Sequence, residues 1–420
     1  MAKRALILVE GTRSNGLLYV KAAQRLGLHP ITLSADPDGY DYLAAEAIEA
    51  IRVDTCNLDA LVHECSRLGA TYDIAGITSA YEAVYATVGK LCRHFDLPGP
   101  NPASIEQCCD KFAQRQLLAK AGVPMPTYRL ASDATEVESS VAEIGLPAVV
   151  KPAVGSGSRG VRLCRDVDEL VEHTAYLFGG EYTWRSSPRI LIEEFAQGPS
   201  YTAQIMGNEI IGITGNRFGP PPHFVYSEFT YPAVLTDDDH MRIVDVSLSC
   251  LRALGLGWGP TNIEFRWSKC GPVVIEVNPR LAGWDPQLVQ LAHGIDLVGE
   301  HIKIVIGDEW NLGRRHSQTA ATRFLVPDGD GILDSIEGVS RAAAVPGVAE
   351  VRLYVKPKTP FVRKGNHLDC IGHVTAASPS FAQTKFILQR AVDLVNWSIT
   401  PLPTLGGTGC GPILPAHYRR

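Results

Sequence analysis

The sequence predicts a mixed α/β and α+β chain, a parallel-sheet lobe followed by lobes built on hairpins. Three observations carry that expectation. The first hundred residues alternate short apolar runs with stretches of helical period, the pattern of β-α-β units. The proline-rich LPGPNPAS near residue 100 interrupts that alternation. Beyond it, strands come in pairs joined by glycine-containing turns.

Residues 5–9, ALILV, read as a buried strand. GTRSNG follows, then a helical pattern from Leu17 to Leu26 closed by Gly27, then the strand and turn PITLSADP. Gly11 to Gly16 spans G-x-x-x-x-G, but Leu17 and Leu18 stand where a P-loop needs Lys and Ser or Thr, so that motif is rejected. The alternation continues through a helix over 58–68, a strand over 74–78 and a helix over 82–95. Glu82 falls just after a strand, at the carboxyl edge where open α/β sheets bind ligands; it is a helix-start acid or a substrate contact.

Composition narrows the classes. At 420 residues the chain has room for two to four domains. A formal charge of −6 gives no basic footprint, so nucleic acid is not an expected partner. No apolar run approaches the roughly eighteen residues of a membrane span. The first apolar run stops at Glu10, short for a signal peptide, so a cytoplasmic location is expected. The ten cysteines include no C-x-x-C pair and suggest reduced thiols.

The second region opens with one helix over 104–122, on which Lys111 and Arg115 share a face. LPAVVKPAVGSGSRGVRLC follows. Gly155, Gly157 and Gly160 match the dinucleotide fingerprint G-x-G-x-x-G, yet that fingerprint must open a helix. Val161 and Leu163 instead alternate as a strand, so the segment is a hairpin flap. Its backbone N–H groups and the Ser156 and Ser158 hydroxyls could fold over phosphates, with Lys151 at the end of the first strand reaching them. After a helix over 166–177, the strand from Arg189 ends in Glu193, Glu194, Phe195 and Ala196, an extended edge able to hold a purine. AQGPS then turns into the strand YTAQIM.

A long proline-rich and aromatic loop, NRFGPPPHFVYSEFTYPAVL, carries Arg217, His223, Tyr226, Glu228 and Tyr231 as candidate substrate contacts. A helix leads from it to the most informative stretch. TNIEFRW and VVIEVNPRLAG read as two strands joined at SKCGP, which sets Glu264 beside Glu276. Alternation along the second strand points Glu276, Asn278 and Arg280 the same way. Two carboxylates and an amide oxygen suit Mg²⁺ that also holds phosphate, and Arg280 supplies positive charge where a phosphoryl group transfers. Past residue 318 the chain reads as a smaller α+β lobe.

Lys111 on a helix, Lys151 before a glycine flap, EEFA at a strand end and Glu264…Glu276-x-Asn278-x-Arg280 resemble, in this order, the ATP-grasp superfamily. The resemblance implies an N-terminal Rossmann-like lobe (1–100), a small lobe with a glycine-rich lid (101–185), a large lobe with the metal and substrate site (186–312) and a C-terminal α+β lobe (313–420). It implies ATP and two Mg²⁺ ions, with Mn²⁺ as a substitute. Lys111 and Lys151 would hold phosphates under the lid from Gly155 to Gly160. Glu193, Glu194, Phe195 and Ala196 would line the adenine site. Glu264, Glu276 and Asn278 would bind metal, and Arg280 would steady an acyl phosphate. At the ribose position, where the family commonly has glutamate, this chain has Ser200.

Within that superfamily NPRLAGW, with Gly283 and Trp284 as further substrate contacts, is most similar to the L-amino acid ligases. The expectation is an ADP-forming carboxylate–amine ligase acting on small molecules and making dipeptides. Such ligases are often dimers, so a homodimer is one expected assembly. Two alternatives stay open here: the same chemistry on another acid or a carrier-protein acceptor, and a non-catalytic nucleotide-binding module.

Overall fold

A computed structural model describes residues 2–12, 15–179 and 189–401. The expected tail after Pro401 and the expected boundary at residue 185 fall outside them.

The first sheet is parallel, with strands Lys3–Val9, His29–Ser34, Glu49–Arg52 and Tyr72–Thr78. Lys3–Val9 lies between His29–Ser34 and Tyr72–Thr78, and Glu49–Arg52 forms one edge. Its strands are short and rich in Ile, Leu and Val because helices cover them. Leu61, Cys65 and Leu68 of Leu58–Gly69 and Val88, Leu91 and Cys92 of Tyr85–His94 fill the core on Ile7, Ile31 and Ile77. Helix Gly16–Arg25 packs elsewhere, against helix Leu297–Val305, where the Tyr19 hydroxyl meets His301 Nδ1 at 2.6 Å. Gly76 allows the close approach of the two regions, since a Cβ there would stand 2.7 Å from Val305. This docking fixes the carboxyl edge of the parallel sheet, and Glu82 with it, against the rest of the chain.

The expected helix over 104–122 is two helices, Pro102–Cys109 and Lys111–Lys120. Asp110 divides them. Its backbone is extended and its carboxylate accepts from the Phe112 and Ala113 N–H groups, an N-cap that restarts the helix. The flap is the expected antiparallel hairpin of Ala148–Pro152 and Arg162–Cys164, in a four-stranded sheet with Tyr128–Ala131 and Ile190–Glu194.

An eight-stranded sheet follows. It contains the hairpin Pro260–Ser268/Gly271–Asn278, then Ser200–Met206, Glu209–Phe218 and Tyr226–Tyr231. It continues without a break into Thr319–Leu325, Gly372–Ser378 and Val348–Leu353. The stretches expected as large lobe (186–312) and C-terminal lobe (313–420) therefore share one sheet, and Tyr226–Tyr231 is the strand that joins them. The strand falls inside the expected proline-rich loop, and YSEFTY carries the aromatic and β-branched residues of a strand. Helix Phe381–Val392 lies on the C-terminal part of the sheet. Among the described residues no helix is long and apolar enough to cross a membrane.

Candidate active site

The hairpin places Glu264 directly opposite Glu276 and Asn262 opposite Asn278. Between these pairs and Phe265 the register shifts, and Ile275 is the extra residue. The bulge turns both Ile275 and Glu276 toward one cleft of about 1030 Å³, part of it open to solvent. Also lining it are Glu264, Asn278, Arg280, Lys111, Lys151, Gly155, Ser156, Gly157, Ser158, Glu193, Glu194, Phe195, Ala196, Ser200 and Tyr226. Residues of helix Lys111–Lys120, of the four-stranded sheet with its flap and of the eight-stranded sheet thus meet in one place.

Helix Lys111–Lys120 holds the hairpin in position. The Gln114 side chain donates to the Val277 carbonyl at 2.8 Å and accepts from the Val277 N–H at 2.9 Å, replacing a missing strand neighbour. One turn away, Lys111 Nζ lies 2.9 Å from Glu276 and donates to the Gly155 carbonyl at 2.7 Å, tying the metal-type strand to the start of the flap. Arg115 Nε donates to Glu193 at 2.6 Å, and Lys151 takes the other oxygen of the same carboxylate. The sequence expectation gave Glu193 to adenine. Its carboxylate is enclosed by the Arg115 and Lys151 cations, and the residue lines the same cleft. Arg115 was legible only as a partner on the Lys111 face; its role required the fold.

Charge is balanced unevenly. Burial acts to raise the Glu193 pKa, but Arg115 and Lys151 overcome it and hold the carboxyl down to about 2. Burial lowers Lys151 even against Glu193. At the hairpin, burial and the facing Glu276 carboxylate push Glu264 up. Glu276 goes the other way, because Lys111 and Lys151 outweigh its burial. Among the described residues Glu264 forms no ion pair. The Asn278 amide is oriented by donating to Asn262 Oδ1 at 3.2 Å, which leaves its own oxygen toward Arg280, 3.4 Å away. No group of three or more His, Cys, Asp or Glu side chains forms a metal cage among the described residues. Two carboxylates and one oriented amide oxygen still fit a hard cation that takes its remaining ligands from phosphate and water.

Arg280 Nε donates to Glu82 Oε2 at 2.7 Å. Glu82 opens a short 3₁₀ turn at the edge of the parallel sheet, so this pair joins two lobes at the site. Cys109 sits beside it; burial and Glu82 raise the thiol pKa, which keeps it protonated.

The flap is closed down from two sides. His173 Nε2 lies 3.0 Å from the Gly160 carbonyl, and His367 Nδ1 from the C-terminal lobe lies 3.0 Å from that of Gly157. Gly157 is needed here: its φ is +69° and a Cβ would stand 2.6 Å from the His367 ring.

Of the loop candidates, Arg217, His223, Glu228 and Tyr231 do not line the cleft. Ser227 is an extra residue in the pairing of Tyr226–Tyr231 with Glu209–Phe218. Phe218 therefore faces Tyr226 on the cleft side, while Arg217 faces Glu228 on the other. Arg217 is exposed there, and Glu228 is bound by Arg323 and Lys385. The His223 ring packs against Gly365. Trp284, after Gly283, packs among Phe324, Tyr354 and His373, and neither residue lines the cleft.

Comparison with known proteins gives this geometry a family. Residues 110–312 match the family model described as the carbamoyl-phosphate synthase L chain ATP-binding domain. Residues 323–400 match L-amino acid ligase C-terminal domain 2. The chain belongs to the ATP-grasp carboxylate–amine ligases. An uncharacterized protein, y4rH, of Sinorhizobium fredii is 64% identical over 404 residues, covering 96% of this chain and 84% of that one. Human carnosine synthase 1 is 24% identical over 335 residues, which cover 73% of this ATP-grasp chain and 40% of that protein. The crystal structure of an L-amino acid ligase from Bacillus licheniformis shares the fold with a TM-score of 0.83 at 19% identity, covering 95% of this chain and 99% of the other.

Proposed function

We propose that this ATP-grasp enzyme is an ADP-forming ligase that joins the carboxylate of one amino acid to the amine of a second through an acyl phosphate. The observation that carries the reading is the convergence on one cleft of Lys111, Lys151 and Arg280 with the oxygens of Glu264, Glu276 and Asn278, beside the Glu82–Arg280 pair. The family match of residues 323–400 favours amino-acid substrates.

In this reading the backbone from Glu194 to Ala196 and the Phe195 ring receive the adenine. Lys151, braced by Glu193, and Lys111 donate to phosphate oxygens, and the Gly155–Gly160 flap covers them. Mg²⁺, two ions with Mn²⁺ as a substitute, would be held by Glu264, Glu276 and Asn278 and would supply neutralisation of phosphate charge. An oxygen of the substrate carboxylate attacks the γ-phosphorus, and the bond from phosphorus to the β-bridging oxygen breaks, releasing ADP. The amine then attacks the acyl carbon, the carbon–oxygen bond to phosphate breaks, and the amine gives up a proton. Arg280 donates to the oxygens that gain charge in both steps, and Glu82 aims it. Glu82 also offers a carboxylate to a substrate ammonium group. The closed flap keeps water from the acyl phosphate.

The test is phosphate release from ATP and Mg²⁺ with all pairs of the twenty L-amino acids, with product masses measured. Release that needs two amino acids, with a product equal to their sum less water, supports the reading. Release with one amino acid and no condensed product moves the acceptor to another amine or a carrier protein. Silence with every pair, while nucleotide still binds, removes amino acids as substrates.

A further inference from the structure

The cleft has an end that the metal-type ligands and the lysines do not account for. Strand Pro260–Ser268 pairs regularly with Ser200–Met206, so Glu264 and Arg266 project from the same face, about 6.6 Å apart along the strand. Both line the cleft. Arg266 lies in register with Ser200, two residues beyond the Gly198 it contacts. Its guanidinium donates from Nη1 to the Gly198 carbonyl at 3.0 Å and lies over the Phe218 ring, 5.1 Å from its centroid, with Phe224 at 5.9 Å.

Arg266 forms no ion pair with a carboxylate among the described residues. A guanidinium has five N–H donors, and the bond to the Gly198 carbonyl occupies one of them. Its plane is held by two aromatic rings, so the remaining donors are presented in a fixed fork. The neighbouring Ser200 hydroxyl is already engaged, donating to the Phe265 carbonyl at 3.3 Å. At this point of the cleft the protein therefore offers donors, and a ligand there must offer acceptor oxygens.

The nucleotide reading of the cleft supplies such a ligand, and the inference rests on that reading. With adenine at Phe195–Ala196 and phosphates at Lys111 and Lys151, the sugar lies between them, in reach of the strand position that Arg266 occupies. We propose that Arg266 is the ribose-reading residue, its guanidinium donating to the lone pairs of the sugar hydroxyl oxygens. A carboxylate at such a site would accept from both hydroxyls; a guanidinium contacts the same oxygens with the opposite polarity. Arg266 is then a specificity residue for the nucleotide and takes no part in phosphoryl transfer.

The experiment is calorimetric binding of ADP, 2′-deoxy-ADP and 3′-deoxy-ADP, each with Mg²⁺, to wild type, Arg266→Met and Arg266→Lys. Wild type is expected to lose about tenfold in affinity when the contacted hydroxyl is removed. Arg266→Met is expected to bind ADP about tenfold more weakly and to treat at least one deoxy nucleotide like ADP. Arg266→Lys keeps the charge without the fork and is expected to fall between the two; it also serves if the methionine variant does not fold. Variants that keep the full wild-type penalty for both deoxy nucleotides overturn the proposal, as does a wild type indifferent to both hydroxyls. A wild type that binds no adenine nucleotide overturns the nucleotide reading itself, a separate and recognisable outcome.

Discussion

The eight-stranded sheet carries carboxylates on both faces, Glu228 buried on one and Glu264 and Glu276 half-buried on the other, and the two sets are treated differently. On the far face, beneath helix Phe381–Val392, Glu228 is matched by Arg323 and Lys385, which overcome its burial and lower its pKa. On the cleft face Glu264 and Glu276 oppose each other, with Lys111 serving Glu276 and, among the described residues, no cation paired to Glu264. A protein that buries charge for structure neutralises it on the spot. Carboxylates crowded together in a cleft cost stability, and are the expected mark of a site completed by a ligand. The contrast is sharper than either cluster alone, because both sets stand on one continuous sheet.

The largest effect should come from the uncompensated face. Glu276→Ala removes an oxygen ligand of the proposed cation site and should lower phosphate release by about a thousandfold or more. Its thermal midpoint should stay near wild type, since the change also relieves the repulsion on Glu264. A folded variant that releases phosphate at a normal rate would make the cleft carboxylates structural after all. Next comes Arg280→Ala, which should cost about a hundredfold in kcat/KM, of order 3 kcal/mol. An unchanged rate would leave the Arg280–Glu82 pair as a mere strap between lobes.

The far face should behave in the opposite sense. Glu228→Gln should leave turnover per folded molecule unchanged and lower stability by about 1–3 kcal/mol, the worth of hydrogen bonds to a charged group left partly unmade. The pH dependence has a fixed sign. Glu228 has a depressed pKa in the fold, so its contribution is present above the unfolded value near 4.3 and is lost as pH falls through the folded one. Denaturant midpoints of wild type and variant should therefore differ most at neutral pH and converge on acidification. A gap that stays constant down to pH 3 would mean that the charge of Glu228 does not matter.

These contrasts explain what the sequence could reveal. The hairpin that pairs Glu264 with Glu276 was legible because its turn and its apolar alternation are local signals. The flap was legible because a strand, not a helix, follows its glycines. Glu228 was misplaced because one extra residue, Ser227, reverses which side chains share a face, and bulges leave no reliable mark in a single sequence. The helix break at Asp110 was missed because its capping carboxylate looks like any helical acid until the backbone is seen. Arg115 and Arg266 are long-range cases. Their partners Glu193, Gly198 and Phe218 lie tens of residues away, where no periodicity reaches.

The smallest expected effect tests whether the C-terminal lobe belongs wholly to the structural side. His367 comes from that lobe yet touches the flap, its Nδ1 lying 3.0 Å from the Gly157 carbonyl. Burial lowers its pKa, so the ring is neutral at pH 7 and Nδ1–H is the donor in this contact. His367→Ala removes one of two histidine contacts that hold the flap, while His173 keeps the other. The closed state should lose about 1 kcal/mol, raising KM for ATP about threefold to fivefold with kcat less affected. The same loosening should admit water, so the ratio of phosphate released to product condensed should rise above one. If KM and that ratio both match wild type, the contact is only packing, and the C-terminal lobe's influence stops at the shared sheet.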